Sequence, residues 1–441
     1  MSLSKTRFLP KMEALEDRTV PATYRLISGT LFITNQTGAL TITSTGGTSV
    51  TAQDGAGPLL TFSGIGNVNV TGTNLNNSIT FNDATTFNGN FFVNAGNGND
   101  TVTVSGGSIL GNVTVQGGYG NDSVTINAAG NTVGGNVSFT DTAGNDTLNL
   151  NGSILGSTSS VGANTVNIGG GAAFNLAGNA SFTNTGDGFA VITVVDGGGA
   201  GTFGKDFNVT TGGTNDGVAF ANADTIGGST NLNLGQGTNA VNVAGGATFN
   251  GNFSFSGGTG VDTFANITPA STFNSNVTLN MGDGNNLFTL STAFTAAGDF
   301  TINAGNGDNA VGTFGGAVAG NLNINLGNGT NSFTLGATGS VGGNLNFNLG
   351  NGNNTLADSA GATIGGALRI RSGNGNNSYT ANGTGTYNLD VIFGSGDDTF
   401  TYAGAGAVLT GLLDGGGRIT ANSFVQGAAT LSPTLTLVNF P

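Results

Sequence analysis

The chain has 441 residues, of which 82 are glycine and only 7% are charged, and it contains no Cys, His or Trp. So much glycine without a Gly-X-Y period excludes both an ordinary globular core and collagen, and the missing Cys and His exclude thiol catalysis, histidine triads and the usual zinc sites. The formal net charge of −14 argues against nucleic-acid binding, because an acidic surface repels phosphate backbones.

Residues 1–25 form a distinct N-terminal tail that holds five of the nine basic residues and both glutamates. The tail lacks the apolar run of a Sec signal. No stretch of the chain reaches the roughly 18 apolar residues of a membrane-spanning helix, so no transmembrane segment is expected. From Leu9 to Ala22 the tail reads LPKMEALEDRTVPA.

This segment resembles the LExLEDRxxPA motif that opens many large extracytoplasmic proteins of planctomycete bacteria. The matching residues are Glu13, Leu15, Glu16, Asp17, Arg18, Pro21 and Ala22. The rest of the chain is similar to the Gly/Asn-rich β-solenoid proteins of that group. The resemblance implies export to an extracellular or cell-surface location, with the tail as a sorting element. It does not by itself imply a catalytic activity. The alternative interpretation is a short helical turn from Lys11 to Asp17 without a sorting role.

The segments that flank the repeated part of the chain have an atypical sequence. Residues 26–66 contain strand-like alternation in LFIT and ALTITST but do not share the later period, and residues 412–441 end in TLTLVNFP. A solenoid exposes unpaired strand edges at both ends, and these edges need covering. We therefore predict an N-terminal cap at 26–66 and a C-terminal cap at 412–441. An incompletely covered end would allow end-to-end self-association.

Between the caps, residues 67–411 repeat an Asp or Asn at intervals close to 23 residues, usually after a glycine-bearing loop and before an alternating apolar run. We call this repeated position the slot. Its thirteen occupants are Asn77, Asp100, Asp122, Asp146, Asp216, Asn239, Asp262, Asn286, Asn309, Asn331, Asn354, Asn377 and Asp398. A period of this length is typical of solenoids and fits three short strands with turns. The interval of 70 residues from Asp146 to Asp216 equals three periods, so the register is expected to continue through it.

The coil that begins at Asn321 shows the plan of one repeat. Apolar residues alternate from Leu322 to Leu326, a glycine-bearing loop follows, alternation resumes over 332–335, and a third short element lies around Val341. Period-two alternation indicates strands with one buried face, and stacked coils satisfy one another's backbone groups. The sequence therefore predicts an all-β fold: a single parallel β-helix, or solenoid, of about fifteen coils, right-handed by the usual preference.

The Asn slots are predicted to be structural. Stacked Asn side chains hydrogen-bond along the stack as a neutral ladder and need no metal. Five consecutive slots have this character: Asn286, Asn309, Asn331, Asn354 and Asn377.

The Asp slots at Asp100, Asp122 and Asp146 are consecutive, so carboxylates one coil apart would repel each other. The segments GNGNDTVTV and GGYGNDSVTI, which contain the first two, resemble the RTX nonapeptide GGxGxDxUx, whose stacked Asp residues bind calcium in parallel β-rolls. Here the motif occurs once per coil instead of in tandem. Two alternatives follow: the three carboxylates bind calcium, which accepts oxygen ligands in flexible geometry, or they splay into solvent. No cofactor is required by the fold itself.

Three further features are weaker. Arg369 and Arg371 alternate on one strand and are expected to face outward, as a solvated pair or in contact with a carboxylate or a sugar. Asp397 and Asp398 are interpreted as a surface pair. Residues 160–205 keep the period but lose the loop signature, which suggests a longer turn or protrusion.

Two classes of function remain open. The leading hypothesis is a non-catalytic, secreted or cell-surface, structural or adhesin-like solenoid whose partner is a surface protein or a polysaccharide. The alternative is a polysaccharide-active β-helix enzyme, a lyase or a glycosidase, although such enzymes need convergent acids or a basic residue. A further alternative, an RTX-like calcium-stabilised extracellular protein, rests on Asp100, Asp122 and Asp146.

Overall fold

The computed structural model describes residues 22–170, 173–186, 190–194, 200–266, 270–290 and 294–440. Every regular element in these ranges is a β-strand, and the strands form a solenoid of about 15 coils of about 23 residues, which confirms the predicted fold class. Residues 1–21 of the predicted sorting tail, and residues 171–172, 187–189 and 195–199 of the predicted protrusion at 160–205, lie outside the described residues. A search of the described ranges for a helix long and apolar enough to span a membrane finds none.

The strands are short and closely spaced along the chain. Those of the N-terminal part are β1 (Thr23–Ile27), β2 (Thr30–Thr34), β3 (Ala39–Gly46), β4 (Ser49–Asp54), β5 (Leu60–Phe62), β6 (Asn67–Thr71), β7 (Ser78–Phe87), β8 (Asn90–Asn97), β9 (Thr101–Ile109), β10 (Val113–Tyr119), β11 (Ser123–Val133), β12 (Val137–Thr140), β13 (Thr147–Ile154), β14 (Thr158–Val161), β15 (Thr165–Ile168) and β16 (Asn175–Leu176). The central strands are β17 (Ala180–Asn184), β18 (Val191–Val194), β19 (Thr202–Phe203), β20 (Phe207–Thr211), β21 (Gly217–Phe220), β22 (Thr225–Ile226), β23 (Thr230–Gly235), β24 (Ala240–Val243), β25 (Thr248–Phe249), β26 (Phe253–Gly257), β27 (Thr263–Asn266), β28 (Thr272–Phe273), β29 (Val277–Asn280), β30 (Leu287–Leu290), β31 (Thr295–Ala296) and β32 (Phe300–Ala304). The C-terminal strands are β33 (Ala310–Phe314), β34 (Ala317–Val318), β35 (Leu322–Leu326), β36 (Ser332–Leu335), β37 (Ser340–Val341), β38 (Leu345–Leu349), β39 (Thr355–Asp358), β40 (Thr363–Ile364), β41 (Ala367–Ser372), β42 (Ser378–Ala381), β43 (Thr386–Ile392), β44 (Thr399–Tyr402), β45 (Ala405–Asp414), β46 (Ser423–Val425), β47 (Ala428–Leu431) and β48 (Thr436–Val438).

These strands join into two continuous sheets that run along the solenoid, one of 20 strands and one of 28. The coil predicted from Asn321 consists of β35 in the first sheet and β36 and β37 in the second, as its sequence indicates. β35 pairs in parallel with β32 of the preceding coil and β38 of the following one. In earlier coils one long strand takes the place of the two short second-sheet strands. For example, β13 pairs with both β15 and β16.

The N-terminal end combines parallel stacking with antiparallel strands. β2 and β3, which lie within the predicted cap at 26–66, already pair in parallel with β6 and β7. β1 runs antiparallel to β2, and β4 runs antiparallel to both β3 and β5. The hairpin strands β4 and β5 are inserted before the next coil, so Thr30 stacks on Asn67 across 37 residues of sequence. This insertion is why residues 26–66 do not share the 23-residue period.

The interior of the solenoid is a column of inward-facing apolar side chains. Within β35, Leu322, Ile324 and Leu326 are buried, and the Asn residues between them are partly exposed. From Phe174 to Phe440 an unbroken series of aromatic rings runs through the coils, with successive centroids 4.8 to 6.4 Å apart. Neighbouring aromatic rings at such distances contribute beyond their buried area, so the recurring Phe residues stabilise the stack.

The register continues between Asp146 and Asp216, as the sequence predicts. The backbone N–H of Asp146 donates to Oδ1 of Asn164 at 3.1 Å, and the N–H of Ala190 donates to Oδ1 of Asp216 at 2.9 Å. Asn164 and Ala190 therefore occupy the two slots that the sequence left unassigned. Ala190 has no side-chain oxygen, and Asn164 follows a loop of different sequence, so neither matches the slot pattern.

Candidate cation site in the acidic coils

The slot lies on the inner side of a corner, immediately before a strand of the second sheet, and its side chain is buried. One side-chain oxygen has the same role whether the slot is Asp or Asn: it accepts the backbone N–H of the slot residue in the preceding coil. The N–H of Asp100 donates to Oδ1 of Asp122 at 2.7 Å, and the N–H of Asp262 donates to Oδ1 of Asn286 at 3.0 Å. This shared bond explains why the slot is Asp or Asn in every coil except the one at Ala190.

At the Asn slots the second polar atom is also satisfied. Nδ2 of Asn309 donates to the carbonyls of Gly305 and Gly307 in its own loop, at 3.1 and 2.9 Å, and to Oδ1 of Asn331 at 3.0 Å. Equivalent Nδ2 to Oδ1 bonds link the predicted series from Asn286 to Asn377. The predicted Asn ladder is therefore confirmed.

At the Asp slots the second oxygen has no donor. Six slot carboxylates are buried with Oδ2 in no hydrogen bond: Asp100, Asp122, Asp146, Asp216, Asp262 and Asp398. Burial without a donor raises the pKa of Asp262 and Asp398, and raises that of Asp100 to about 6. The expectation that the acidic slots splay into solvent is wrong, because the corner directs them inward. For the same reason Asp398, which is fully buried, is not part of a surface pair.

Asp141 lies close to Asp122 and Asp146, two of the predicted calcium ligands. It directly follows β12, continues the inward-facing positions of Val137 and Phe139, and is only 9% exposed. One carboxylate oxygen each from Asp122, Asp141 and Asp146 lies within 4.8 Å of the others. We call these three residues the acidic cluster. Asp100 lies one coil away and is not among them: its Oδ1 accepts both the backbone N–H and the Nδ2 of Asn77, at 2.6 and 3.0 Å.

The cluster concentrates negative charge in a buried place. Burial raises the pKa of Asp122 to about 6, and the charge of Asp141 adds to the shift. Burial, followed by the nearby carboxyl of Asp146, also raises the pKa of Asp141 to about 6, and burial raises that of Asp146. Converging carboxylates that resist ionisation need either protons or a cation. Oxygen ligands alone suit a hard cation such as Ca²⁺, so the fit between the residues and this ion is good.

A second buried carboxylate shows how this chain satisfies an acid with protein groups alone. Oδ2 of Asp358 accepts the hydroxyls of Tyr379 and Tyr387 at 2.7 and 3.0 Å, and its Oδ1 accepts the N–H groups of Asn382 and Gly383 at 2.6 and 2.7 Å. Both oxygens are thus occupied, in contrast with those of the acidic cluster. Sequence inspection did not identify Asp358, whose partners come from the two following coils.

Arg369 and Arg371 face outward from β41, as predicted, and they contact a carboxylate. Arg371 Nη2 lies 2.6 Å from Oδ1 of Asp390 in the next coil, and Arg369 Nε lies 3.8 Å from Oδ2 of the same residue. All three side chains are partly exposed, so this ion pair contributes little to stability.

Replacement of Asp262 by Asn is expected to raise the free energy of unfolding by about 1–3 kcal/mol at pH 7.5, because the amide donates where Oδ2 has no partner. The native pKa of Asp262 is raised above the unfolded value, so the wild type binds the proton more tightly when folded. Its stability therefore falls as the pH rises through the native pKa, and the advantage of the variant disappears near pH 4. Denaturant titrations in chelator at both pH values measure the difference. Equal stabilisation by Asp262→Asn at the two pH values, or destabilisation at pH 7.5, would contradict this explanation.

No protein-family model, curated protein or solved structure matches the chain. The arguments for function therefore rest on its own geometry.

Proposed function

We propose that the protein is a non-catalytic structural rod of the cell surface or the extracellular space. The observation that carries the proposal is the long stack: apart from the antiparallel strands β4 and β5, the described strands from β2 to β48 stack in parallel around one apolar column. About fifteen coils at a strand spacing of about 4.8 Å give a rod on the order of 70 Å long. A regular rod of this kind holds its two ends apart or presents them to partners. This role is mechanical, and it needs no reactive group.

The outward positions of the first sheet support a binding surface along the rod. Nδ2 of Asn325 donates to Oδ1 of Asn303 at 2.7 Å, and Nδ2 of Asn346 donates to Oδ1 of Asn323 at the same distance. These partly exposed side chains form rows of amides that repeat at the coil spacing. Rows of donors and acceptors suit a polysaccharide or a surface protein with polar groups at regular intervals, so we propose either as the partner.

The location is tested by labelling. Antibodies against the purified protein, applied to intact cells that produce it, are expected to label the cell surface or the medium, and deletion of residues 1–25 is expected to keep the protein inside. A cytoplasmic protein of the same cells serves as the control for lysis. Labelling that requires broken cells, or export that does not depend on the tail, would count against the proposal.

A second candidate function, a polysaccharide lyase or glycosidase, is favoured by one observation, the group of Arg369, Arg371 and Asp390. An outward acid beside two guanidinium groups is the nearest approach to a lyase-like constellation in the described residues. A screen of acidic and neutral polysaccharides distinguishes the candidates: we expect no turnover, whereas turnover that Arg371→Ala abolishes and Lys205→Ala preserves would establish the enzyme.

A further inference from the structure

We propose that Asp122, Asp141 and Asp146 bind a single calcium ion inside the solenoid. Each of the three side chains is at least nine-tenths buried, and each has an Oδ2 atom without a hydrogen-bond donor. Their ligand oxygens lie within 4.8 Å of one another, and two oxygens on the same Ca²⁺, at about 2.3–2.6 Å from it, are at most about 5 Å apart. The site does not depend on where the rod is located.

Gly117 allows the carboxylates of Asp122 and Asp141 to approach each other. Gln116 pairs with Thr140, so Gly117 lies opposite Asp141 in the stack. A Cβ atom at residue 117 would lie 2.4 Å from Oδ2 of Asp122 and 2.4 Å from Oδ1 of Asp141. Both oxygens therefore converge on the volume that a side chain would fill. Gly117 is not among the glycines with a positive φ, so its backbone conformation does not require glycine. The absence of a side chain leaves that volume to the two carboxylates.

The ladder alone does not account for three acids at this place. An Asn in the slot accepts the same bond from the preceding coil and also donates to its own loop, as at Asn309. Asp141 is not in a slot, and its Oδ1 accepts only the N–H of Gly118 at 2.9 Å. An apolar residue at an inward-facing position would pack in the column, so a third carboxylate there is costly unless a cation neutralises it.

An approach to the site from solvent is present. A cavity of about 410 Å³ is lined by Asp141, Gly144 and Gly162, among others, and opens beside the cluster. Asp141 is the member of the acidic cluster that lines this cavity, so the cavity is the route by which a cation would approach the cluster. Calcium accepts six to eight oxygens, and the positions that the three carboxylates leave open are available to backbone carbonyls and water. Magnesium is the poorer fit, because it demands near-ideal octahedral geometry and loses water reluctantly.

Isothermal titration of the chelator-treated full chain with CaCl₂ at pH 7.5 tests the proposal. One ion per chain is expected, and Asp141→Asn should weaken binding by at least about tenfold, as the loss of a ligand does. Asp262→Asn is the matched control: it also removes a buried carboxylate, but one that lies outside the cluster, and it should bind calcium as the wild type does. Absence of binding at millimolar calcium, or equal binding by Asp141→Asn, would overturn the proposal.

Thermal unfolding separates ion binding from a purely structural role. In chelator, Asp141→Asn should melt at or above the wild-type temperature, because it removes one of three mutually repelling carboxylates. Excess calcium should raise the wild-type midpoint more than that of the variant, because the variant binds the ion more weakly. A variant that melts below the wild type in chelator, together with a wild type that does not respond to calcium, would show a structural role only. Failed surface labelling would leave both experiments unaffected.

Discussion

Replacement of Phe249 by Ala is expected to lower the free energy of unfolding by about 3–5 kcal/mol, the usual loss when a buried Phe is truncated. The side chain is fully buried in the aromatic column, and its ring centroid lies 5.3 Å from that of Phe220, 4.9 Å from Phe253 and 5.0 Å from Phe273. Its loss removes contacts with the coils on both sides and leaves a cavity that parallel strands at fixed spacing cannot close.

Denaturant unfolding of the full chain, followed by circular dichroism, measures this effect. Phe249→Leu is the control, since it keeps most of the apolar volume and should cost much less. Stability is distributed along a repeat protein, so the first unfolding transition is the one to compare. A loss below about 1 kcal/mol for Phe249→Ala would show that the column does not hold neighbouring coils together.

Replacement of Gly352 by Ala is expected to cost about 3 kcal/mol or more, because two penalties combine. The φ angle of Gly352 is +131°, a conformation in which a side chain costs about 1–3 kcal/mol. In addition, a Cβ atom would lie 2.0 Å from the carbonyl oxygen of Gly329 in the preceding coil, so the backbones would have to separate.

Gly385→Ala isolates the second penalty. Gly385 has a similar φ of +112°, but nothing lies within 4 Å of the position its Cβ would take. The difference between the two variants in denaturant titrations therefore measures the cost of separating the coils. If Gly352→Ala destabilises the protein no more than Gly385→Ala, close coil-to-coil approach at this corner is not a requirement of the fold.

The architecture was predictable because each coil repeats the same arrangement of strands and turns. Alternation from Leu322 to Leu326 gives β35, and the slot period brings the same corner to the same place in every coil. The bond from each slot N–H to the next slot oxygen requires Asp or Asn, which is why the pattern is visible in the sequence. The coil at Ala190 lacks that oxygen, so only the length of the interval indicated its register.

The acidic cluster was only partly predictable. Asp122 and Asp146 stand in consecutive slots, and their sequence shows that they stack. Their burial was not expected, because a carboxylate beside a glycine-bearing loop usually faces solvent, whereas this corner turns it inward. Asp141 was missed because it belongs to the end of a first-sheet strand, not to the slot. The signal was nevertheless present: it continues the inward alternation of Val137 and Phe139.

The buried carboxylates of this chain differ in how many hydrogen-bond donors surround them. Asp358 has four protein donors for its two oxygens, whereas Asp122, Asp141 and Asp146 each keep one oxygen without a donor and direct their oxygens toward each other. Asp262 and Asp398 also keep one oxygen without a donor, so that feature alone does not indicate an ion. The acidic cluster differs from them because three carboxylates converge within 4.8 Å of one another.

The most direct test is a crystal structure of the full chain grown with calcium, with anomalous differences measured to locate the ion. The account predicts one peak per chain within the acidic cluster, with carboxylate oxygens of Asp122, Asp141 and Asp146 at about 2.3–2.6 Å from it. A structure in which these carboxylates converge as described, with no calcium between them under saturating calcium, would contradict it.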